Sequence, residues 1–358
     1  MNALLQIDEP VPVRAGEELD AARVDAAMRG AVPGLHGAPE IREYPRGASN
    51  LTYLVRYPGR EFILRRPPFG HKAKSAHDMR REVTITTALR PFYPCVPKVV
   101  AFFDDPNILG CDFYVMEPIH GVIVRRDLPE GMSLTRDDAA RLCTSLLDKL
   151  IELHQVDYRA AGLEAIAKGK GYTQRQIAGW SDRYRKARTP DVGDFEQVMG
   201  WLQSATPAED AATCVVHNDF RFDNVVLNPA NIFEIIGVLD WELATIGDPL
   251  MDLGNALAYW VQADDDEFFQ STRCQPTHLP GMLTRREVWD YYAAKTGLKS
   301  GNFDFYVIYG LFRLAVIVQQ IYYRYFHGQT RNPQFAGFGA LAKYLEQRCQ
   351  RLIGEAGK

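Results

Sequence analysis

The sequence lacks any surplus of positive charge. Its 41 Lys and Arg are outnumbered by 45 Asp and Glu, for a formal charge of −4, which argues against the concentrated cationic surface of a general nucleic-acid binder. Paired cysteines are missing as well. The six Cys (95, 111, 143, 214, 274 and 349) are scattered without a C-x-x-C spacing. Cys143 and Cys214, in apolar surroundings, read as small buried hydrophobes of a reducing cytoplasm. Long apolar runs are also scarce. The most apolar segment, residues 303–318, is interrupted by Gly310 and Arg313, which is too short and too broken to cross a bilayer comfortably. The start, MNALLQIDEPVPVR, has no apolar core of signal-peptide length. Internal repeats, low-complexity tracts and a G-x-G-x-x-G run are absent. The expectation is a cytoplasmic protein working without membrane or nucleic acid; the sequence is silent on oligomeric state.

What is present is an ordinary globular composition, 46% hydrophobic and 24% charged over 358 residues, enough for two lobes rather than one. The most informative stretch is residues 215–249, VVHNDFRFDNVVLNPANIFEIIGVLDWELATIGDP. Asp219 is followed by Asn224 and then by Asp240. Short apolar runs flank them at residues 214–216, 225–227 and 235–239, and read as buried strands. The polar groups therefore sit where strands end and loops begin, on a rigid scaffold. Magnesium-dependent phosphoryl transfer needs such a set. One carboxylate, Asp219, orients the attacking hydroxyl and accepts its proton, while an amide oxygen and a second carboxylate, Asn224 and Asp240, hold Mg2+ against nucleotide phosphates.

Before that stretch, residues 1–17 read as an irregular, mobile leader and residues 19–28 as a helix stopped by Pro33-Gly34. Strands follow at 41–44, 51–57 and 61–65, with a turn-like loop at 45–50 between the first two. A helix at 76–89, strands at 98–103 and 111–117 around a turn at 104–107, and then a mostly helical remainder complete the reading. Thr135 and Asp138 form a capping box for an amphipathic helix ending at His154, and His154 reads as a helix-end or core-edge group. Residues 172–186 and 194–203 are helical, and Gly247-Asp248-Pro249 opens a helix containing Asp252. Helices are also expected at 286–296 and 304–326.

The pattern HNDFRFDN followed by LDWE resembles the catalytic and metal loops of the aminoglycoside phosphotransferase (choline kinase-like) family. It departs from the usual His-Gly-Asp by placing Asn218 where Gly is common, and Asn tolerates left-handed backbone. The family resemblance implies an α+β, protein-kinase-like fold: a leader (1–21), a small β-rich nucleotide-binding N-lobe (22–118) and a larger, mostly helical C-lobe (119–358). It implies ATP and Mg2+ as cofactors. RGASNLTY resembles the family's phosphate-covering loop, which assigns Ser49 and Asn50 to the nucleotide. Arg65 aligns with the usual phosphate-contacting Lys, and its charge and fork geometry suit that role; Glu82 is its implied partner. Met116, Glu117 and Ile119 fall at the hinge whose backbone meets the adenine edge. Asp252 is implied to anchor the catalytic loop from behind, and Arg221 either neutralises transferred charge or braces the loop.

Residues 312–330 further resemble the acyl-CoA-dehydrogenase-associated branch of that family, and the likeness runs from about residue 22 to 350. It implies a small-molecule hydroxyl acceptor such as a hydroxyacyl-CoA or hydroxy acid, with the basic stretch 175–188 available to CoA phosphates. Alternatives are an aminoglycoside acceptor, for which the acidic run 264–267 is a candidate, and a catalytically weak nucleotide-binding module, favoured by Arg65 and Asn218. A metal-dependent hydrolase on His217, Asp219, Asp223 and Asp240 would want more His than this region offers.

Overall fold

A computed structural model describes residues 9–45, 50–69, 78–298, 302–330 and 332–356. Along the chain run helix α1 (Ala21–Ala31), strands β1 (Glu40–Tyr44), β2 (Leu51–Tyr57) and β3 (Arg60–Arg66), helix α2 (Met79–Leu89), strand β4 (Val99–Phe103), the short helix α3 (Pro106–Leu109) and strand β5 (Phe113–Met116). Helices α4 (Arg136–His154), α5 (Tyr172–Ala187) and α6 (Glu196–Ser204) follow, then strands β6 (Cys214–Val216), β7 (Val225–Asn228), β8 (Asn231–Val238) and β9 (Thr245–Gly247). Five helices end the order: α7 (Pro249–Ala258), α8 (Glu267–Ser271), α9 (Arg285–Thr296), α10 (Phe303–Phe326) and α11 (Phe338–Ala356). The class is α+β, with a small antiparallel sheet and a larger helical part, as predicted. Two compact units divide the chain: Met1–Ser133 with Arg159–Leu163 and Phe222–Ala244, and Leu134–Tyr158 with Glu164–Arg221 and Thr245–Lys358.

The first unit is built on a five-stranded antiparallel sheet in the order β1-β2-β3-β5-β4. Side chains alternate across a strand, so each face collects its own apolar set. Tyr53, Val55 and Tyr57 of β2 join Phe62, Leu64, Phe113 and Val115 against Val24 and Met28 of α1. On the other face Leu54, Ile63, Tyr114 and Met116 pack on Met79 and Val83 of α2. The β7–β8 hairpin belongs to this unit because Val122 and Leu227 exchange both backbone hydrogen bonds, at 2.9 and 2.8 Å, and Val238 N donates to Cys95 O at 2.8 Å. A Cβ on Gly121 would stand 2.4 Å from Val226 Cγ1, so the close approach requires glycine there. The expected mobile leader is pinned in its described part: Val11 and Glu43 exchange backbone bonds at 2.8 and 2.9 Å, and Arg14 Nε donates to the buried Glu43 carboxylate at 2.9 Å. The segment lacks periodicity because a single bridge and an ion pair, rather than a strand, fix it.

The second unit is helical around α10, which packs against α5, α7 and α11. The α7–α10 crossing is close enough that a Cβ on Gly310 would come 2.0 Å from Gly254 O. The Thr135–Asp138 capping box opens α4 as expected. Four elements were not foreseen. The segment read as a turn at 104–107 winds into α3, capped by Asp105. Strand β9 is three residues long and exists through its antiparallel partner β6. Helices α8 and α11 complete the unit near the C-terminal end of the described chain.

Candidate active site

In the helical unit the Asp219 loop leaves β6 through His217 and Asn218. Asn218 has φ 66°, a left-handed conformation that Asn tolerates and most residues resist. The loop is held from behind by Asp252, fully buried in the first turn of α7. One carboxylate oxygen accepts from His217 N at 2.7 Å and faces His154 Nε2 at 3.1 Å, and the other accepts from Asn218 N at 2.7 Å. Burial alone would raise the Asp252 pKa. The His154 hydrogen bond and charge, with the His217 amide, outweigh it and hold this carboxyl below its ordinary value. His154, the last residue of α4, in turn meets Tyr292 OH at 2.7 Å, so this helix-end group also serves as a buried bridge. The Asn218 side chain accepts from Asn255 Nδ2 at 3.0 Å, and Asp219 N donates to His217 Nδ1 at 3.2 Å. Asp219 follows with its side chain 15% exposed, and Arg221 Nη2 stands 3.4 Å from its carboxylate. The Arg221 guanidinium lies 4.3 Å from the centre of the Tyr259 ring, a stacking that fixes its direction.

In the sheet unit, a 3-10 turn at Phe222–Asn224 leads into β7. Asn224 is nearly buried, and its carbonyl accepts from Leu239 N at 2.8 Å. That bond places Asn224 and Asp240 at neighbouring ends of the β7–β8 hairpin, where Val225 pairs with Val238. Asp240 is itself left-handed, at φ 65°. Its carboxylate is gripped by Arg65, which also meets Glu82 at 3.2 Å and Glu242 at 3.5 Å. Asn50 Nδ2 donates to Glu242 at 2.6 Å, and Tyr114 OH donates to Glu82 at 2.9 Å. One guanidinium thus serves three carboxylates. Burial, with Asp240 adding to it, pushes the Glu82 carboxyl up against the pull of Arg65. For Arg65 burial works the other way and lowers the pKa, but the three carboxylates around it raise it well above its ordinary value.

Arg65, Glu82, Asn50 and Asp240 are therefore brought together within one unit. Ser49 lies outside the described residues. Met116 ends β5 opposite Ile63, two residues from Arg65. The Glu117 side chain instead turns outward to Lys98 at 2.7 Å, and the Ile119 side chain lies under Gly237. A surface groove of about 560 Å³ beside the β2–β3 turn, lined in part by Arg60, Phe62 and His120, touches only Glu117 of the predicted set. Glu242 was given no role from the sequence. Its signal was the acid two places after Asp240, but that it ties Asn50 to Arg65 is a tertiary fact.

An amide oxygen beside a carboxylate in an electron-rich cluster is a hard-oxygen donor set, which suits Mg2+ completed by phosphates and waters. No group of three or more His, Cys, Asp and Glu able to hold a metal occurs among the described residues, and the His217 ring is spent on the loop. Neither fact favours a transition-metal hydrolase. The acidic run also has structural work: Asp265 pairs with Arg285 at 2.7 Å and with Arg348 at 2.5 Å, and Asp266 caps α8. In the basic stretch, Arg185 is paired with Glu196 and Lys186 with Asp182, each at 2.6 Å.

The family model described as "Phosphotransferase enzyme family" matches residues 40–277, a span that holds Asn50, Arg65, Glu82, Asp219, Asn224, Asp240, Glu242 and Asp252. The chain belongs to this family. It is 32% identical over 94% of its length to mouse acyl-CoA dehydrogenase family member 10, and spans 31% of that protein. A Ralstonia eutropha structure provisionally described as an aminoglycoside phosphotransferase superposes with a TM-score of 0.78 and 28% identity, over 94% of this chain and 99% of that one. The GDP complex of aminoglycoside 2'-phosphotransferase-IIIa, at 16% identity and a TM-score of 0.59 over 92% and 99% of the two chains, shares the fold.

Proposed function

We propose that this phosphotransferase-family chain moves the terminal phosphoryl group of ATP to the hydroxyl of a small molecule. The observation that carries the reading is the Arg65 cluster: a cation fixed at the end of β3 by Glu82, next to Asp240 and within reach of Glu242. Asn224 and Asp240 would hold Mg2+, which supplies charge neutralisation of the phosphates when bound. Arg65, still held by Glu82, binds phosphate oxygens in place of Asp240 and Glu242 and keeps the nucleotide oriented. Asp219 orients the acceptor hydroxyl and takes its proton as the oxygen–phosphorus bond forms, with ADP as leaving group. The loop carrying Asp219 needs no rearrangement, because Asp252 already fixes both preceding amides.

Hydroxy acids and hydroxyacyl-CoAs are the acceptor class this reading favours over aminoglycosides, since the acidic run is committed to Arg285 and Arg348. A second reading, a module that holds nucleotide without transfer, draws on the same Arg65–Asp240 pair, which occupies the proposed metal carboxylate. The deciding experiment is ADP release from Mg·ATP with hydroxy acids, hydroxyacyl-CoAs, choline-like alcohols and aminoglycosides, for wild type beside Asp219→Ala. Transfer to one class, lowered by about 10²- to 10⁴-fold in the variant, supports the kinase. Nucleotide binding with no release in any arm supports the module.

A further inference from the structure

Arg313 sits in the middle of α10 and is 3% exposed. Among the described residues it makes no hydrogen bond and no ion pair. Other buried arginines of the chain do better: Arg348 is tied to Asp265, and Arg66 donates to Pro67 O at 3.1 Å. A guanidinium cannot shed its charge, so burying it without a partner is costly. Asp252, the buried carboxylate whose charge reaches Tyr309 as Arg313's does, is already taken by His217, Asn218 and His154.

What surrounds Arg313 is aromatic. Its guanidinium carbon lies 5.2 Å from the Trp180 ring centre, and Arg183 stands over the same indole at 4.5 Å. Two cations on one indole repel each other unless an anion joins them. Arg313 as a whole retains 3% exposure. Burial raises the pKa of Tyr172, Tyr259 and Tyr309, and the Arg313 charge pulls each of them back. Tyr259, pushed up to about 12, feels Asp219 as well. Arg313 and Asp219 therefore act on the same phenol, and both belong to the helical unit.

We infer that Arg313 is an anion-binding residue, set on the helix that packs against α7, whose Asp252 anchors the Asp219 loop, and backed by Trp180, that receives a carboxylate or phosphate group carried by the acceptor. The inference rests on the phosphotransfer reading for its purpose, but its geometry stands without it. It deepens that reading by giving the acceptor a negative charge at a fixed place.

The test measures binding alone, with no nucleotide and no turnover. Ligand-observed NMR follows 3-hydroxybutyrate, inorganic phosphate and the neutral butane-1,3-diol on wild type, Arg313→Met and Arg313→Lys. The expected result is that an anion binds wild type, that Arg313→Met weakens it by roughly 10- to 100-fold, that Arg313→Lys falls between, and that the diol is indifferent to all three. Preference for 3-hydroxybutyrate assigns the acceptor's carboxylate, and preference for phosphate assigns a phosphate-bearing acceptor. Arg313→Met should also raise the urea midpoint, because an apolar side chain replaces an unpaired charge. Equal anion binding by wild type and Arg313→Met, or no anion binding by wild type, overturns the inference. A lower midpoint with unchanged binding also overturns it, marking a core residue satisfied by its aromatic neighbours. Anion binding that survives a failed transfer assay would instead remove the phosphotransfer reading and leave this site standing.

Discussion

Asn218 shows how much one residue's backbone can hide from a sequence. Asn in place of the Gly of the motif this loop resembles reads as a tolerated substitute, and the φ of 66° agrees. The side chain does more than tolerate. Its oxygen receives Asn255 Nδ2 at 3.0 Å and Tyr172 OH at 3.4 Å, bonds a glycine could not accept. Asn218→Gly would relieve left-handed strain yet leave a buried amide short of its acceptor. The expected net result is a loss of about 1 kcal/mol, read from urea midpoints, and a gain in stability would show the side-chain bonds to be idle. Arg313 is the opposite case. In the sequence it was only an interruption that spoke against a membrane span, and nothing in residues 303–318 said that its charge goes unanswered. Pairing and its absence are properties of neighbours brought from α5 and α7, which no local pattern records.

Strands and their ends were the readable part. Asp219, Asn224 and Asp240 stood out because β6, β7 and β8 are short apolar runs with polar punctuation, and Arg65 pairs with Glu82 at 3.2 Å as the regular β3 and α2 suggested. β9 and α3 escaped because a three-residue strand and a four-residue helix owe their existence to partners and caps rather than to periodicity. Asp252 joins four elements through one carboxylate: α7 that carries it, the loop after β6, α4 through His154 and, beyond His154, α9 through Tyr292. Its folded pKa lies below the ordinary 3.8. The stability it supplies is therefore present above that unfolded value and is lost as pH falls through the lower folded one. Urea midpoints followed from about pH 5 downward should steepen below about pH 4 in wild type. Asp252→Asn should start about 3 kcal/mol lower with a shallower acid limb. An acid limb of the same slope in both proteins would put the acid sensitivity elsewhere.

At the scale of the whole molecule, α10 is the one helix among the described residues long and apolar enough, by length and composition, to cross a bilayer. Yet 72% of its most apolar window is buried inside the protein, against α5, α7 and α11. A core helix needs no lipid. Partition in a phase-separating detergent is expected to leave the protein in the aqueous phase, and recovery in the detergent phase would count against a core role for α10. The division into two compact units was half legible. Composition announced a sheet-rich start and a helical remainder, but the hairpin at residues 225–238 carries its own strand signals and no address.

That address matters to a ribosome. The first sheet is complete in sequence by Met116, yet Val122 and Cys95 wait for Leu227 and Val238 to close their backbone bonds. The unit begun first thus stays open while residues 164–221 of the other unit are made, gaining its final hairpin only when residue 244 has been synthesised. Until then the newborn sheet carries an uncovered seam.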